Sequence, residues 1–388
     1  MDSYFADLHI HIGQTTSGKP VKITASRSLT LENILVEASE HKGIDIVGII
    51  DCHVPEVLIT LKKLVETGEC MELENGGIRF LDTTLMLGTE LEIYDEACKG
   101  PIHILAFMPS LDKMEEFSSW LSSRMTNINL SSQRIYEQGK TLQKVVKSLG
   151  GLFIPAHIFT PHKSMYGSGV EKSLEEVFDS SLIDAVELGL SSDTTMADQV
   201  GELHQYTFLT NSDAHSLPKI GREYQKLILE EPSFLELKMA LAEEGGRKVQ
   251  ANFGLNPYLG KYYDTTCEKC GLKPRAGQKE CENCGSTRFV KGVSNRLKEL
   301  ANKIDKSRHR PPYIHQVPLQ FIPGIGPKTL DKLKDMFSTE MNILHEVPKT
   351  ELKKVVPDKI ADYIEAAREG RLQVISGGGG TYGKVTGI

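Results

Sequence analysis

Two pairs of metal-ligand side chains frame the first half of the sequence. His9 and His11 lie in FADLHIHIGQ near the start, and Asp213 and His215 lie in NSDAH much further along. Residues i and i+2 of a β-strand point to the same face, so each pair projects from one strand. A fold that brings the two strands together therefore places four imidazole and carboxylate groups at one point, as a metal site requires.

The residues between these pairs alternate between helix and strand patterns. TLENILVEASEHKG predicts a helix with Thr30 as its N-cap and Gly43 as its stop. Intervening helices are predicted for SSQRIYEQGKTLQKVVKSLGG, SLEEVFD and FLELKMALAEEGG. Apolar runs predict strands buried on both faces, as in a parallel sheet: IDIVGII, TTLMLGTELEIY, IHILAFM, LFIPAHIF, IDAVELGL and TFLTNSD. About seven β/α units predict an α/β fold, either a TIM-type barrel or a distorted relative. A doubly wound sheet is the alternative, although the sequence has no GxGxxG loop.

Polar side chains stand at most of the predicted strand ends, where barrel enzymes hold their chemistry. They are Asp51, His53, Glu90, Glu92, His157, Asp193, Asp213 and His215, and a further histidine, His103, opens its strand. A cluster of these groups without cations would carry large repulsion and desolvation costs. Bound divalent cations remove both costs, so the pattern predicts a metal-dependent enzyme.

The set DLHIH, a histidine after the second strand, ELE, HILAF, PAHIF and SDAH resembles the PHP (polymerase and histidinol phosphatase) family over about residues 1–250. The resemblance implies a distorted (β/α)7 barrel with a trinuclear metal centre. It implies one metal held by His9, His11, Glu90 and Asp213, and a second held by Glu90, His103 and His157. His53 and His215 would help to hold a third. The sequence departs from the family pattern at two places. The usual Thr-Asp-His is DCH here, which gives Asp51 a role among the ligands. The histidine usually found shortly after the first motif is missing, and Gln14 stands nearby.

The ligand set favours phosphoester hydrolysis. Carboxylates with imidazoles suit zinc, manganese or iron(II) in two or three sites. Such metals activate water and neutralise the oxygens of a phosphoryl transfer. Asp193 has no place in the ligand list, so it is a catalytic acid or base, an orienting group, a further ligand, or a helix cap before TTMADQVGEL.

Downstream segments predict a nucleic-acid substrate. CEKCGLKPRAGQKECENCG spaces Cys267, Cys270, Cys281 and Cys284 as in a four-thiolate ribbon holding one structural zinc. LQFIPGIGPKTLDKL has the hairpin of a helix-hairpin-helix unit, in which Gly324 and Gly326 allow close approach to a phosphate and Lys328 adds charge. Residues 247–388 contain 25 Lys and Arg against 15 Asp and Glu, whereas residues 1–246 contain 20 against 37. The basic half is either a polyanion binder or an ordinary solvated surface.

The barrel, ribbon and hairpin in this order resemble the endonuclease Q family, which cuts DNA on the 5′ side of uracil, hypoxanthine and abasic sites. The resemblance implies damaged double- or single-stranded DNA as partner. Flipping the base out would bring it to the loop FTPHKSMYGSG. Arg27, His162, Lys163 and Tyr166 are the predicted DNA contacts near the cleft, with a solvated loop as the alternative.

The predicted organisation has five parts. They are a barrel at 1–255, the ribbon at 256–295, a helix and Pro-rich linker at 296–318, the hairpin module at 319–375 and a flexible tail at 376–388. The scattered remaining cysteines and the lack of a signal or membrane pattern predict a cytoplasmic protein without a membrane partner. The resemblance implies association with the nucleoid and replication or repair proteins as partners. The alternatives are a small-molecule phosphatase of the histidinol phosphatase type and a non-catalytic DNA-binding or polymerase-accessory protein.

Overall fold

The structure is a computed structural model, and it describes residues 1–275, 277–302, 308–375 and 384–387. The β-strands are β1 (Asp2–Ile10), β2 (Ile46–Ile49), β3 (Met71–Glu72), β4 (Ile78–Phe80), β5 (Thr83–Ile93), β6 (Ile102–Met108), β7 (Arg134–Ile135), β8 (Leu152–Pro155), β9 (Ala185–Glu187), β10 (Thr207–Leu209), β11 (Tyr224–Leu229), β12 (Lys248–Gly254), β13 (Thr266–Cys267), β14 (Phe289–Val290), β15 (Tyr313–His315), β16 (Gln373–Ile375) and β17 (Lys384–Gly387).

The α-helices are α1 (Leu31–Val36), α2 (Pro55–Glu66), α3 (Leu111–Ser122), α4 (Gly139–Ser148), α5 (Thr194–Ala197), α6 (Phe234–Leu241), α7 (Val293–Leu300), α8 (Pro327–Phe337), α9 (Glu340–His345), α10 (Lys349–Val355) and α11 (Asp358–Arg368). Single turns of 3₁₀ or π helix occupy Glu37–Lys42, Met165–Gly169, Leu174–Glu176, Ser180–Leu182, Gly201–Gln205, Leu217–Lys219, Pro257–Leu259 and Leu319–Phe321.

Seven strands form a ring, in the order β1, β2, β5, β6, β8, β9 and β10. Ladders join β1 to β2, β2 to β5, β5 to β6, β6 to β8 and β9 to β10. Two backbone bonds at each remaining joint complete the ring. Between β8 and β9, the Asp184 amide donates to the Phe153 carbonyl at 3.0 Å and the Ile158 amide to the Glu187 carbonyl at 2.9 Å. Between β10 and β1, the Ala214 amide donates to the His9 carbonyl at 3.1 Å and the His11 amide to the Ala214 carbonyl at 3.2 Å. The α/β class is confirmed, and the ring is distorted because two of its joints have no continuous ladder.

Strand β6 departs from the predicted parallel arrangement, because it is antiparallel to both β5 and β8. Only residues 94–101 connect β5 to β6. A parallel connection needs a crossover of a dozen or more residues, so this short link can make only an antiparallel pair.

The long strand β1 pairs with different strands of one sheet along its two halves. Its first half pairs antiparallel with β11, which continues to β12 and β15, while its second half pairs with β2 inside the ring. The side chains from Ala6 to Ile12, in the second half of β1 and directly after it, are fully buried. His9, in β1, and His11, just after it, therefore lie in the interior of the ring.

Both predicted ends of the helix at residues 30–43 are confirmed. Thr30 caps α1 through its side chain, and Gly43 ends the following π turn with φ of 74°. The helix predicted from residue 131 begins only at Gly139, because residues 131–133 form a loop over the ring and Arg134–Ile135 pair with β5. This loop has no periodic signal that would distinguish it from the start of α4.

The C-terminal helices pack against the ring through a buried ion pair. Lys42 Nζ lies 2.9 Å from Glu340 Oε1 at the start of α9, with both side chains less than a tenth exposed. The Pro218 carbonyl accepts from Lys42 Nζ at 3.1 Å and from Gln320 Nε2 at 3.0 Å.

The predicted flexible tail, 376–388, falls largely outside the described residues, as do residues 303–307 of the predicted linker. Within the tail, the described residues Lys384–Gly387 form β17, which pairs with β16. In the part of the chain that the structure describes, no helix combines the length and the apolar character needed to cross a membrane.

Candidate metal centre

Three groups of potential metal ligands overlap inside the ring. In each group, the ligand atoms lie within 4.8 Å of one another. The groups are His9, His11 and Glu90; His11, Asp213 and His215; and Glu90, His103 and His157. Because His11 and Glu90 each belong to two groups, the three candidate sites are adjacent and share ligands.

The Nδ1 atom of His9 contacts a carboxylate that was not predicted from the sequence. His9 Nδ1 lies 3.0 and 3.1 Å from the two oxygens of Glu187 at the end of β9. Burial lowers the pKa of His9, but Glu187 and Asp213 outweigh it and hold this pKa well above its usual value. His9 Nε2 is left facing Glu90 and Asp213, each at 3.5 Å. The available signal was a carboxylate inside the otherwise largely apolar predicted strand IDAVELGL, in which the structure ends the strand β9 at Glu187.

His11 is oriented in the same way. Its Nδ1 lies 3.2 Å from Asp51 Oδ2 and 3.0 Å from Ser131 Oγ. Asp51 Oδ2 also accepts the Ile12 amide at 2.8 Å. Asp51 Oδ2 therefore lies behind His11, whereas its buried Oδ1 has no hydrogen-bond partner in the described part of the chain. Asp51 belongs to none of the three groups, and its predicted role as a metal ligand stays a prediction. Such a carboxylate fixes the tautomer and orientation of a ligating histidine.

Glu90 is the most central carboxylate of the cluster. Its Oε1 lies 2.9 Å from His103 Nδ1 and 3.4 Å from His157 Nε2, and its Oε2 lies 3.2 Å from Lys22 Nζ. Burial raises the pKa of Glu90, but His103 and Lys22 outweigh it and hold this pKa well below its usual value. Lys22 had no motif in the sequence to indicate it.

Two members of the cluster have unusual backbone conformations. His157 has φ of 30° and Asp213 has φ of 46°. The left-handed region is costly for residues with a Cβ and persists where surrounding contacts impose it, often at functional sites. Gly189, whose added Cβ would lie 2.9 Å from the His157 Cβ, leaves room for this turn.

The unpartnered atoms of the cluster fit divalent cations. Among the described residues, buried nitrogens without a hydrogen-bond partner include the Nε2 atoms of His9, His11 and His103. Burying polar atoms without partners is costly, and cations among these nitrogens and carboxylates would satisfy them. Burial lowers the pKa of His215 to about 4, which favours the neutral imidazole that binds metal.

Two other predicted residues lie outside the three groups. His53 Nδ1 contacts Thr89 Oγ1 at 2.7 Å, and its buried Nε2 has no hydrogen-bond partner among the residues that the structure describes. The group that includes His215 does not include His53, so the predicted place of His53 at the third metal stays a prediction. Asp193 caps α5 by accepting the Met196 amide at 2.9 Å, and its other oxygen lies 3.1 Å from His315 Nε2. These contacts match the helix-cap alternative, and a catalytic role for Asp193 stays a prediction.

The cluster opens into a cleft of about 620 Å³ whose wall includes His162 and Lys163. Lys163 Nζ lies 2.9 Å from Glu92 Oε2. Arg27 is exposed beside the cleft, in a segment whose Ser26 amide donates to the His215 carbonyl at 2.8 Å.

Tyr166 is not available for base stacking, contrary to the prediction. Its ring is 1% exposed and stacks on Phe159, and its hydroxyl donates to Glu202 at 2.8 Å. Two contacts hold Tyr166 in the interior: its ring is buried against another aromatic ring, and its hydroxyl has a hydrogen-bond partner there.

The four ribbon cysteines come together as predicted from their spacing. Their sulfur atoms lie within 4.8 Å of one another. The Gly271 amide donates to the Cys267 carbonyl at 2.9 Å and the Gly285 amide to the Cys281 carbonyl at 2.8 Å, so each pair forms a tight turn. The Asn283 side chain lowers the pKa of Cys270 to about 6, which favours the thiolate form.

The predicted hairpin has the conformation that its glycines suggested. Gly324 has φ of 93°, and Gly326 precedes α8, which begins at Pro327. Both glycines and Lys328 are exposed. An added Cβ on Gly326 would meet nothing within 4 Å, so the backbone at Gly326 borders open space.

The chain is similar along its whole length to a bacterial protein. YqxK from Bacillus subtilis strain 168 is 60% identical over 385 residues, which covers 99% of this chain and 100% of that protein. MJ0043 from Methanocaldococcus jannaschii is 36% identical over 253 residues, which covers 59% of this chain and 31% of that protein. No protein-family model matches the chain.

Solved structures decide the family. The lesion-specific endonuclease PfuEndoQ from Pyrococcus furiosus has a TM-score of 0.85 and 29% identity, covering 99% of this chain and 95% of its own. The chain belongs to the endonuclease Q family. A complex of endonuclease Q with a 27-mer duplex bearing an abasic lesion at the active site has a TM-score of 0.84 and 29% identity, covering 100% of this chain and 97% of its own. The predicted family, and with it a metal-dependent nuclease, is confirmed.

Proposed function

We propose that this member of the endonuclease Q family hydrolyses the DNA backbone on the 5′ side of uracil, hypoxanthine and abasic sites. The observation that carries the proposal is the overlap of three metal-ligand groups beneath one open cleft. The similarity over the whole chain to a lesion-specific endonuclease, and to a related enzyme bound to abasic duplex, supports damaged DNA as the substrate.

The donor set suits two or three divalent cations in the ring, for which zinc is our first choice and manganese or iron(II) the alternatives. A further zinc belongs to the four cysteines. Bound in the ring, such cations supply an activated water near neutral pH and neutralise charge on the phosphate oxygens. Each of the three ligand groups would hold one cation.

The chain itself orients these ligands and holds the substrate. Glu187 and Asp51 fix the tautomers of His9 and His11. Both Nε2 atoms then face the carboxylates of Glu90 and Asp213. Lys22, which lies in the cleft wall, provides positive charge where a backbone phosphate would enter.

In this proposal, different parts of the chain select the damaged nucleotide and bind the DNA backbone. A flipped nucleotide would be selected at the cleft mouth, since unstacking costs least for a mispaired or missing base. The exposed hairpin at Gly324, Gly326 and Lys328 would hold backbone phosphates without reading sequence.

Cleavage of an end-labelled duplex with one uracil, beside a matched duplex and a phosphomonoester, tests the proposal. The protein is expected to nick only the damaged strand, 5′ to the uracil. His9→Ala and Asp213→Ala should lose cleavage by at least about a hundredfold while still binding DNA. His41→Ala removes an exposed histidine outside the cluster and is the control.

Full cleavage by both cluster variants in metal-controlled buffer would falsify the metal-centre assignment. Hydrolysis of the phosphomonoester alone would instead indicate a small-molecule phosphatase. Binding of damaged duplex without any hydrolysis, at each of the three candidate metals, would indicate a non-catalytic DNA-binding protein.

A further inference from the structure

A loop at the mouth of the metal cleft contacts both the metal cluster and the zinc ribbon. This cleft loop, residues 158–171, begins directly after His157 and places His162 and Lys163 in the cleft wall. The Lys163 carbonyl also accepts the His103 amide at 2.8 Å. The loop backbone is therefore bonded to one member of the metal cluster and continuous with another.

The segment that leaves the ribbon holds this loop through one side chain. Helix α7 follows the second cysteine pair, and its Arg296 reaches the loop backbone. Arg296 Nε donates to the Tyr166 carbonyl at 2.7 Å, and Nη2 donates to the carbonyls of Val170 at 3.2 Å and Glu171 at 2.5 Å. A planar guanidinium with donors in a fixed fork defines the position of three carbonyls better than a flexible ammonium can.

The segment that enters the ribbon contacts the same loop. The Tyr262 ring meets the His162 ring edge to face, with centroids 5.8 Å apart. The Tyr262 carbonyl in turn accepts the Val293 amide of α7 at 2.9 Å, and the Thr265 hydroxyl accepts the Gly292 amide at 2.9 Å. The two segments are therefore bonded to each other at the base of the ribbon.

Little besides the cysteines orders the ribbon itself. Its strands β13 and β14 contain two residues each. Of the described residues between 266 and 290, only Thr266, Cys267 and Cys281 are buried. A unit with so small a core takes its folding energy from the metal bound by its thiolates.

We propose that Arg296 is a positioning residue that fastens the cleft loop to the base of the ribbon, so that zinc binding by the four cysteines sets the order of the loop at the cleft. The ribbon is then coupled to cleavage through the loop. The consequence for cleavage rests on the proposed function, whereas the order of the loop is measured without DNA.

Hydrogen–deuterium exchange of the full chain tests the proposal. In Arg296→Gln, amides of residues 158–171 should exchange at least about tenfold faster, because several bonds from a charged group are lost. Zinc content should stay unchanged. The control is Arg288→Gln, which removes an exposed ribbon arginine paired with Glu268, and it should leave the loop unaffected.

The zinc arm uses Cys281→Ser, or Cys270→Ser at an exposed position if the first variant does not fold. Loss of the ribbon zinc should accelerate the same loop amides as Arg296→Gln does. On uracil-containing duplex, Arg296→Gln should raise KM more than it lowers kcat, and Arg296→Lys should recover part of the loss.

Unchanged loop exchange in Arg296→Gln overturns the inference, and so does acceleration spread evenly over the chain, which would indicate general destabilisation. Normal loop exchange after zinc loss overturns the coupling to the ribbon. Accelerated loop exchange in a protein that cuts no damaged DNA would support the inference and refute the proposed function.

Discussion

Glu187→Gln isolates the contribution of a carboxylate that lies behind the metal cluster. Glu187 is 1% exposed, and none of the three ligand groups includes it. Its Oε1 accepts from His9 Nδ1 at 3.0 Å and from Asn211 Nδ2 at 2.8 Å, while its Oε2 accepts the His157 amide at 2.8 Å. The substitution keeps the shape of the side chain and removes its charge and one acceptor.

The expected cost follows from these contacts. The new NH₂ group must face either the Asn211 amide or the His157 N–H, and a buried donor left without an acceptor costs about 1–3 kcal/mol. Loss of the carboxylate behind a ligating histidine typically reduces metal affinity about 10- to 100-fold. That reduction corresponds to about 1.4–2.8 kcal/mol of binding free energy.

The assay is competition for zinc against a chelator of known affinity, with a urea unfolding curve of the same sample. Glu236→Gln is the matched control, because Glu236 is also buried and accepts from Arg247 Nε at 3.0 Å, but lies outside the cluster. Both variants should lose stability, and only Glu187→Gln should lose affinity at the ring. Wild-type zinc affinity in Glu187→Gln would refute the orienting role of this carboxylate.

Three further predictions follow from other parts of the chain. Lys328→Ala should weaken binding of damaged and matched duplex alike and reduce the salt slope by about one unit; affinity titrations that show loss of lesion preference alone would make the hairpin the damage reader. Burial raises the pKa of Glu223 to about 8 from its ordinary 4.5. As pH rises from 4.5 to 8, Glu223 therefore loses its proton in the unfolded chain but keeps it in the folded chain, and the free energy of unfolding falls by up to about 5 kcal/mol. Glu223→Gln should therefore gain in Tm over wild type as pH rises through that window, and a gap independent of pH would contradict this. In urea unfolding, Glu340→Gln should lower the free energy of unfolding by about 3 kcal/mol or more, because it leaves the buried Lys42 without its charged partner. The control Glu116→Gln should lower it by under about 1 kcal/mol, because the 2.9 Å pair of Glu116 with Lys113 is exposed. Equal losses in the two variants would refute the argument that burial makes the first ion pair more important.

Local spacing carried much of the correct prediction. The i, i+2 pairs at His9 and His11 and at Asp213 and His215 anticipated side chains that meet inside the ring. The spacing of the four cysteines anticipated their cluster, and Thr30 and Gly43 marked both ends of the first helix. In each case a few neighbouring residues contain the physical cause, whether strand periodicity, a tight turn or a cap.

These local patterns could not predict contacts between residues that are far apart in the sequence. Glu187 meets His9 across 178 positions, and Lys42 meets Glu340 across 298. The burial of Tyr166 and the contact of Asp193 with His315 also depend on elements far away in the sequence.

The sequence by itself determined which residue types are available at the strand ends, at the ribbon and in the hairpin. Only the tertiary structure decided which carboxylate lies behind each histidine and which charges are buried together. The reason is that spacing along the chain sets the direction of each side chain on its own strand or turn, whereas its partners depend on how the ring closes and on what packs against it.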